Sequence, residues 1–242
     1  MSATSPPEYL LTSAVGHPFA AFVRELIVQR SLRSICDVGG GANPILSLEE
    51  VEAMGLRYVV ADVSASELAK APAGYMTRTL TADGGGLDFG AEPFDLVVSK
   101  FVAEHVSDPV AFHSAIRDAL RPGGLAAHFF PTLPSPPFLL NRVLAGRGHR
   151  LIDLLQPGLR HADGPLGKFD PHYRWCEGPT RRQYRRYHRV GFDVERYVVL
   201  VGHTYYARFP PLQRAADTLS RALVRFRSPL LSTYALLLLR RR

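Results

Sequence analysis

Cysteine is scarce in this sequence. Only Cys36 and Cys176 occur among 242 residues, and they form neither a Cys-x-x-Cys pair nor a zinc-ligand spacing. A disulfide-stapled scaffold and a cysteine metal site are therefore excluded, and reduced thiols in a cytoplasmic setting are expected. Long apolar runs are also lacking. The longest fall far short of the roughly 20 residues of a membrane-spanning helix, so no integral membrane protein is expected. Residues 1–7 lack the basic and apolar segments of a secretory signal. Lysine is nearly absent: Lys70, Lys100 and Lys168 are the only ones, so most of the 29 basic residues are arginine. What remains is ordinary globular composition, 46% hydrophobic and 21% charged, with no tract beyond the first dozen residues polar enough to demand disorder. A chain of this length buries a full core as one α/β domain.

Charge is unevenly distributed. Residues 1–140 carry 9 basic and 15 acidic side chains, and residues 141–242 carry 20 and 7. Such a basic second half suits an acidic or phosphorylated partner or an anionic membrane surface. It is equally what arginine on solvated helices produces.

The order of elements follows from periodicity and caps. Apolar residues Phe19, Phe22, Val23, Leu26 and Ile27 recur at helical spacing. Residues 35–38 read as a buried strand, Gly39 to Gly41 as a turn, and Pro44 as the start of a helix ending near Gly55. Residues 57–61 form a second strand ending at Asp62, with Ser64 and Glu67 as a capping box after it. Residues 76–81 and 94–99 are a third and fourth strand. Asp108 and Pro109 cap and open a helix that ends before Pro122, and residues 125–130 are a fifth strand. Strands alternating with helices at this interval predict a doubly wound, mostly parallel sheet. Residues 132–178, rich in Pro, Gly, Arg and His, interrupt the rhythm and are expected to lie over the ligand edge as an insertion between strands five and six. Thr180 caps an arginine-rich helix, residues 194–201 form a sixth strand, 212–226 a helix and 233–239 a last strand. The whole chain is expected to be one domain, with residues 1–16 a flexible leader.

The stretch Asp37-Val38-Gly39-Gly40-Gly41 places a carboxylate before a strand-to-helix glycine loop, where backbone approaches a ligand closely. A dinucleotide fold would require Gly-x-Gly-x-x-Gly, and the third glycine position is Pro44, which disfavours NAD. Acids recur after successive strands: Asp62 closes the second, Asp83 the third, and Asp95 opens the fourth, where it more often supports a sheet than touches a ligand. In an open α/β sheet the ligand lies beyond the carboxyl ends of the strands.

On these segments the sequence resembles the class I S-adenosylmethionine-dependent methyltransferases, of the small-molecule type with a Glu-His motif. DVGGG is similar to their Asp-x-Gly-x-Gly loop, VVADVS to their acidic second strand, TADGGGLDF to the third-strand acid, and residues 94–124 to the fourth strand through the Leu-x-Pro-Gly-Gly turn. The resemblance is close over about residues 33–131 and loose to the end. It implies a Rossmann-like sheet of seven strands whose last strand is antiparallel, with S-adenosylmethionine as cofactor. It further implies that Asp37 orders the loop and assists the methionine ammonium, Gly39 and Gly41 admit the methionine moiety, Asp62 accepts from the ribose hydroxyls and Asp83 from the adenine amine. Val63 and Ser99 fall among the cofactor positions. Asp62 and Asp83 are also compatible with simple turn caps.

Methyl transfer from a sulfonium requires the protein to align the acceptor, exclude water and, for a hydroxyl, take a proton. Lys100, Glu104 and His105 follow the fourth strand, and His105 is the candidate base; a packing pair that orients the cofactor is the competing role for Glu104 and His105. His172, Tyr173 and Trp175 in the insertion and Tyr205 after the sixth strand are the candidate acceptor contacts, with His161 and His203 nearby in sequence. The acceptor expected is a small molecule, with O-methylation favoured by the available histidine. The rival reading is an RNA-binding methyltransferase served by the basic half, but no Asn/Asp-Pro-Pro-Tyr loop follows the fourth strand, where Ser99-Lys100-Phe101-Val102 stands. A catalytically inactive partner protein is a third. The apolar run before the C-terminus reads as a strand buried on both faces; peripheral membrane contact would come instead from LVRFRSPLL at residues 223–231.

Overall fold

The computed structural model describes residues 6–12, 17–80, 87–133, 172–203 and 206–242. The described strands form one eight-stranded sheet, ordered β1-β7-β8-β6-β5-β2-β3-β4. These strands are β1 (Glu8–Leu11), β2 (Ser34–Val38), β3 (Arg57–Asp62), β4 (Met76–Thr79), β5 (Phe94–Lys100), β6 (Leu120–Pro131), β7 (Phe192–Val201) and β8 (Ser232–Arg241). β8 runs antiparallel between β6 and β7, and every other pairing is parallel. The order reverses at β2, which has β3 on one side and β5 on the other. At such a switch point the connections diverge to opposite faces and leave a crevice beyond the strand ends.

Two sequence expectations need correction. The sheet has eight strands rather than seven, because part of the supposed flexible leader is β1, paired with Val198 to Val201 of β7. Its polar residue is what anchors it: Glu8 accepts two hydrogen bonds from Arg196, at 2.7 and 2.8 Å. The helix after the glycine loop, α2 (Leu48–Ala53), starts at Ser47 instead of Pro44. Ser47 Oγ accepts from Glu50 N, and Glu50 Oε2 accepts from Ser47 N at 2.8 Å, a reciprocal box that outweighs the proline signal.

Alternating side chains on the strands feed two cores. Cys36, Val38, Val59 and Val97 face one side, with Phe112 and Ile116 of α4 (Pro109–Ala119) and Tyr187 of α5 (Arg181–Arg189). Ile35, Val60, Leu96 and Val98 face the other, with Phe19, Val23, Leu26 and Ile27 of α1 (His17–Arg30), Val51 of α2 and Leu68 of α3 (Ala65–Leu68). The apolar C-terminal run is a central strand: Tyr234 to Leu239 are all buried. Each fully buried leucine there contributes about 1.5–3 kcal/mol, which places that run in the core. No helix among the described residues is long and apolar enough to cross a membrane. The last helix, α6 (Pro210–Arg225), lies against β1 and β7 at the opposite end of the sheet from β2 and β3.

Candidate active site

Asp37 lies in β2, one residue before the strand ends, and is 1% exposed. Its Oδ2 accepts from Tyr58 Oη at 2.6 Å and from Ile45 N at 2.8 Å. Burial pushes the carboxyl up to about 6, against the pull of those two donors. The side chain thus pins residue 45, on the far side of the glycine loop, to the sheet. Tyr58 was not singled out in the sequence, although it is the one aromatic in an otherwise aliphatic strand segment.

Gly39 has φ +76° and donates its N–H to Ala61 O at 2.7 Å. A Cβ there would stand 2.3 Å from Val102 Cγ2, so both conformation and space require glycine. A Cβ on Gly41 would stand 3.0 Å from Glu67 Cβ and 3.2 Å from Asp62 Oδ2. The loop backbone therefore packs closely on both Glu67 and the Asp62 carboxylate, an approach that a side chain at residue 41 would crowd. Asp62 closes β3, where its Oδ1 accepts from Ser64 N at 2.8 Å; Val63 beside it is half exposed. A glycine cradle next to an acceptor carboxylate fits a cationic, diol-bearing ligand better than a phosphate, for which donors would be needed. Asp83 falls outside the described residues.

Ser99 is placed differently from the expectation. It is fully buried, and its hydroxyl meets His128 Nδ1 at 2.8 Å. In register with Val38, it points to the face opposite Asp37, so its side chain supports β6 and does not enter the crevice. Asp95, as expected, serves the sheet: it accepts from Arg33 N and Ser34 N and pairs with Arg121 at 3.0 Å.

Beyond β5 the chain turns sharply. Phe101 has φ +59° and donates its N–H to Phe129 O, and a 3-10 turn over Ala103–His105 follows. Glu104 is buried, and burial pushes its carboxyl up to about 8. Its Oε1 is 4.0 Å from His105 Nε2, and its Oε2 has no hydrogen-bond partner among the described residues. The Glu104 carbonyl accepts from His172 N at 2.7 Å and Tyr173 N at 2.9 Å. Leu133 N in turn donates to Cys176 O at 2.9 Å. Both ends of the insertion are thereby tied to each other and to the turn that carries Glu104 and His105; residues 134–171, including His161, lie outside the described ones. Tyr173 and Trp175 hold positive φ, at +51° and +62°, a conformation that non-glycine residues adopt at a cost of about 1–3 kcal/mol.

The four acceptor candidates separate. His172 is exposed and Tyr173 buried beside Glu104. Trp175 joins an aromatic cluster away from them, stacked on His113 at 5.3 Å and edge-on to Tyr187 at 5.6 Å. Gln183 Nε2 fixes its carbonyl at 2.6 Å. Tyr205 is outside the described residues. The cluster contains two histidines that sequence reading passed over, His113 and His128, at 5.4 Å between rings. Burial holds His113 down to about 4 and His128 well below the usual range, so both are neutral. His128 is the one polar residue in its buried strand run, the only sequence signal for it. Of the α5 arginines, Arg181, Arg182, Arg185 and Arg189 are exposed, and Arg186 pairs with Glu177 at 3.2 Å.

Residues 36–128 match the family described as methyltransferase domain. Over 95 residues the chain is 35% identical to an uncharacterized methyltransferase of Mycobacterium sp. (strain KMS), covering 39% of this chain and 37% of that protein. Over 96 residues it is 32% identical to the ubiquinone biosynthesis O-methyltransferase of Cereibacter sphaeroides (strain ATCC 17029 / ATH 2.4.9), covering 38% of each. The match thus spans little more than a third of the length of these curated relatives. The crystal structure of an S-adenosylmethionine-dependent methyltransferase from Mesorhizobium loti shares the fold, with a TM-score of 0.54 at 19% identity over 87% of this chain and 91% of that one. The matched stretch runs from β2 into β6 and contains the glycine loop, Asp62 and the turn after β5, so over residues 36–128 the chain is similar to methyltransferase domains, and its fold is that of the S-adenosylmethionine-dependent methyltransferase structure.

Proposed function

We propose that this protein transfers a methyl group from S-adenosylmethionine to a small-molecule acceptor, with a hydroxyl the favoured receiving group. The observation that carries the reading is the close approach of the Gly41 backbone to Asp62 Oδ2, beside a loop locked by Asp37. When bound, the cofactor supplies an electrophilic methyl on a sulfonium, which leaves as a neutral thioether. The chain's own residues do the rest. Asp62 accepts from the ribose diol, the Gly39–Gly41 backbone admits the methionine part, and Asp37 holds the loop and lends its charge to the ammonium. Val63 lies against the adenine side, and Asp83 takes the adenine amine.

On the acceptor side, His105 takes the proton of the attacking hydroxyl, while the turn after β5 and the tied ends of the insertion exclude water. His172 and Tyr173, held by the Glu104 carbonyl, supply acceptor contacts, and Tyr205 completes them. One relative is named for O-methylation in ubiquinone biosynthesis, which supports a hydroxylated ring among the acceptors to screen. The Glu104-His105 pair supports a reading within the small-molecule branch that carries that motif.

Calorimetric titration with S-adenosylhomocysteine tests the cofactor half. Micromolar binding is expected, with Asp62→Ala weaker by roughly 10- to 100-fold, the value of charged hydrogen bonds. Equal binding by Asp62→Ala would sink the assignment. Acceptor turnover that survives His105→Ala unchanged would remove the proposed base and leave only alignment.

A further inference from the structure

The helix α6 presents three distinct faces. Ser220 is buried and Leu223 and Val224 pack against the core. At 3.6 residues per turn, Leu212, Leu219 and Phe226 fall on a second line, seven residues apart, and are 48%, 49% and 77% exposed. Arg214, Arg221 and Arg225, all exposed, make a third line on the other edge of the solvent-facing surface, more than about 100° round the helix from the apolar one, and only Arg225 and Arg227 flank Phe226 directly in sequence. Leu230 and Phe209 extend the apolar line at the two ends, and β1, against which α6 packs, adds the half-exposed Leu10 and Leu11. Most of the exposed large apolar side chains among the described residues therefore gather at this one end of the sheet.

Charge selects the occupant. Residues 206–230 carry Arg208, Arg214, Arg221, Arg225 and Arg227 against a single acid, Asp217. Asp217 is engaged by Gln213 Nε2 at 2.7 Å, and none of the five arginines makes an ion pair among the described residues. Two copies of α6 facing each other across this surface would place two sets of unpaired arginines near one another with almost nothing to offset them. A surface helix with large apolar side chains along one edge of its exposed face and unpaired arginines along the other instead matches the boundary of an anionic bilayer, where side chains like Phe226 enter the acyl region and guanidinium groups meet headgroup phosphates. We propose that α6 and the segment to Leu230 form a peripheral docking face for anionic lipid bilayers. This face sits at the β1 end of the sheet, apart from the β2–β3 crevice, and its failure would leave the cofactor reading intact.

Co-sedimentation of the full chain with phosphatidylcholine vesicles, with and without phosphatidylglycerol, tests it. Binding is expected to need the anionic lipid. Each arginine held near such a surface contributes about 1 kcal/mol, so Arg221→Gln/Arg225→Gln should lower partitioning by roughly 25-fold. Leu219→Ser/Phe226→Ser, both at exposed positions, should lower it at least as far while S-adenosylhomocysteine titration and thermal melting stay as in the wild type. Three results would overturn the proposal. One is equal binding to neutral vesicles, or none to either. Another is a loss seen only with the arginine variant, which would mean a face for any polyanion, RNA included. The third is a wild-type dimer in sedimentation velocity that Leu219→Ser disperses, which would make a second copy the occupant.

Discussion

Asp37 and Glu104 are both buried carboxyl groups, one beneath the glycine loop and one beyond β5, and their surroundings differ in one respect. Asp37 meets two donors, Tyr58 Oη and Ile45 N, on a single oxygen. Glu104 meets no side-chain or backbone donor on Oε2 among the described residues. Burial raises both, to about 6 and about 8. Donors thus keep Asp37 ionised at neutral pH, whereas Glu104 is largely protonated there. The pocket beneath the glycine loop holds a charged carboxylate, and the one beyond β5 holds a neutral carboxyl next to His105. Burial raises each carboxyl, and Asp37 is pulled back by Tyr58, Ile45 and the Lys100 charge where Glu104 is pulled back only by its own backbone N–H.

The largest expected effect comes from the undersupplied pocket. Glu104 has a folded-state value of about 8 against the ordinary 4.5, so its contribution to stability is fully present below about pH 4.5 and is lost as pH rises through about 8. The loss is on the order of 4 kcal/mol. Glu104→Gln should remove that decline, leaving a variant more stable than wild type at pH 8 in urea titrations across this window. A flat wild-type profile would mean that Glu104 finds a donor in solution, and the contrast between the two pockets would collapse.

Asp37→Asn probes the supplied pocket. Here the folded value is about 6 against 3.8, so the same sign applies over a lower window: stability present below about pH 4 declines as pH rises through about 6, by about 3 kcal/mol. The amide oxygen can still accept from Tyr58 and Ile45, so the variant should fold at least as well at pH 7 while binding S-adenosylhomocysteine more weakly. Retained affinity would confine Asp37 to holding the loop. Gly39→Ala is a comparable loss by another route, about 2–4 kcal/mol from positive φ and overpacking against Val102. Val102→Ala in the same chain should recover the overpacking part only, as read from thermal melts.

Much of the sheet around the glycine loop was legible in the sequence because its signals are local. A glycine loop at a strand end, acids closing strands, and Asp108 with Pro109 at a helix start each act within a few residues. Asp108 caps α4 through Val110 N and Ala111 N as its type and position require. The region beyond β5 depends on contacts between segments distant in sequence. Nothing near Glu104 announces that its carbonyl will take the amides of His172 and Tyr173, and nothing near Trp175 that it stacks on His113. Ser99 misled for a related reason: proximity to the crevice along the chain does not fix which face of the sheet a side chain takes, and a shift of one residue reverses it. The strand β1 was missed because a four-residue edge strand held by Glu8 and Arg196 has no apolar period to read.

The smallest expected effect is the one that turns the first pocket into the second. Tyr58→Phe keeps the ring that packs against Tyr75 and removes the hydroxyl that donates to Asp37 and accepts a long, 3.4 Å bond from Leu46 N. A hydrogen bond to a charged group contributes about 1.5–3 kcal/mol, so the variant should lose roughly that much stability at pH 8, where Asp37 is ionised in both forms. At pH 4 the loss should shrink, since a protonated carboxyl depends less on the donor. The Asp37 titration should also move upward from about 6, toward the value of Glu104, and nuclear magnetic resonance of the labelled carboxyl would show it directly. If the shift is absent, the Ile45 amide alone supplies Asp37, and the difference between the two pockets rests on one backbone hydrogen bond, with no part for the tyrosine.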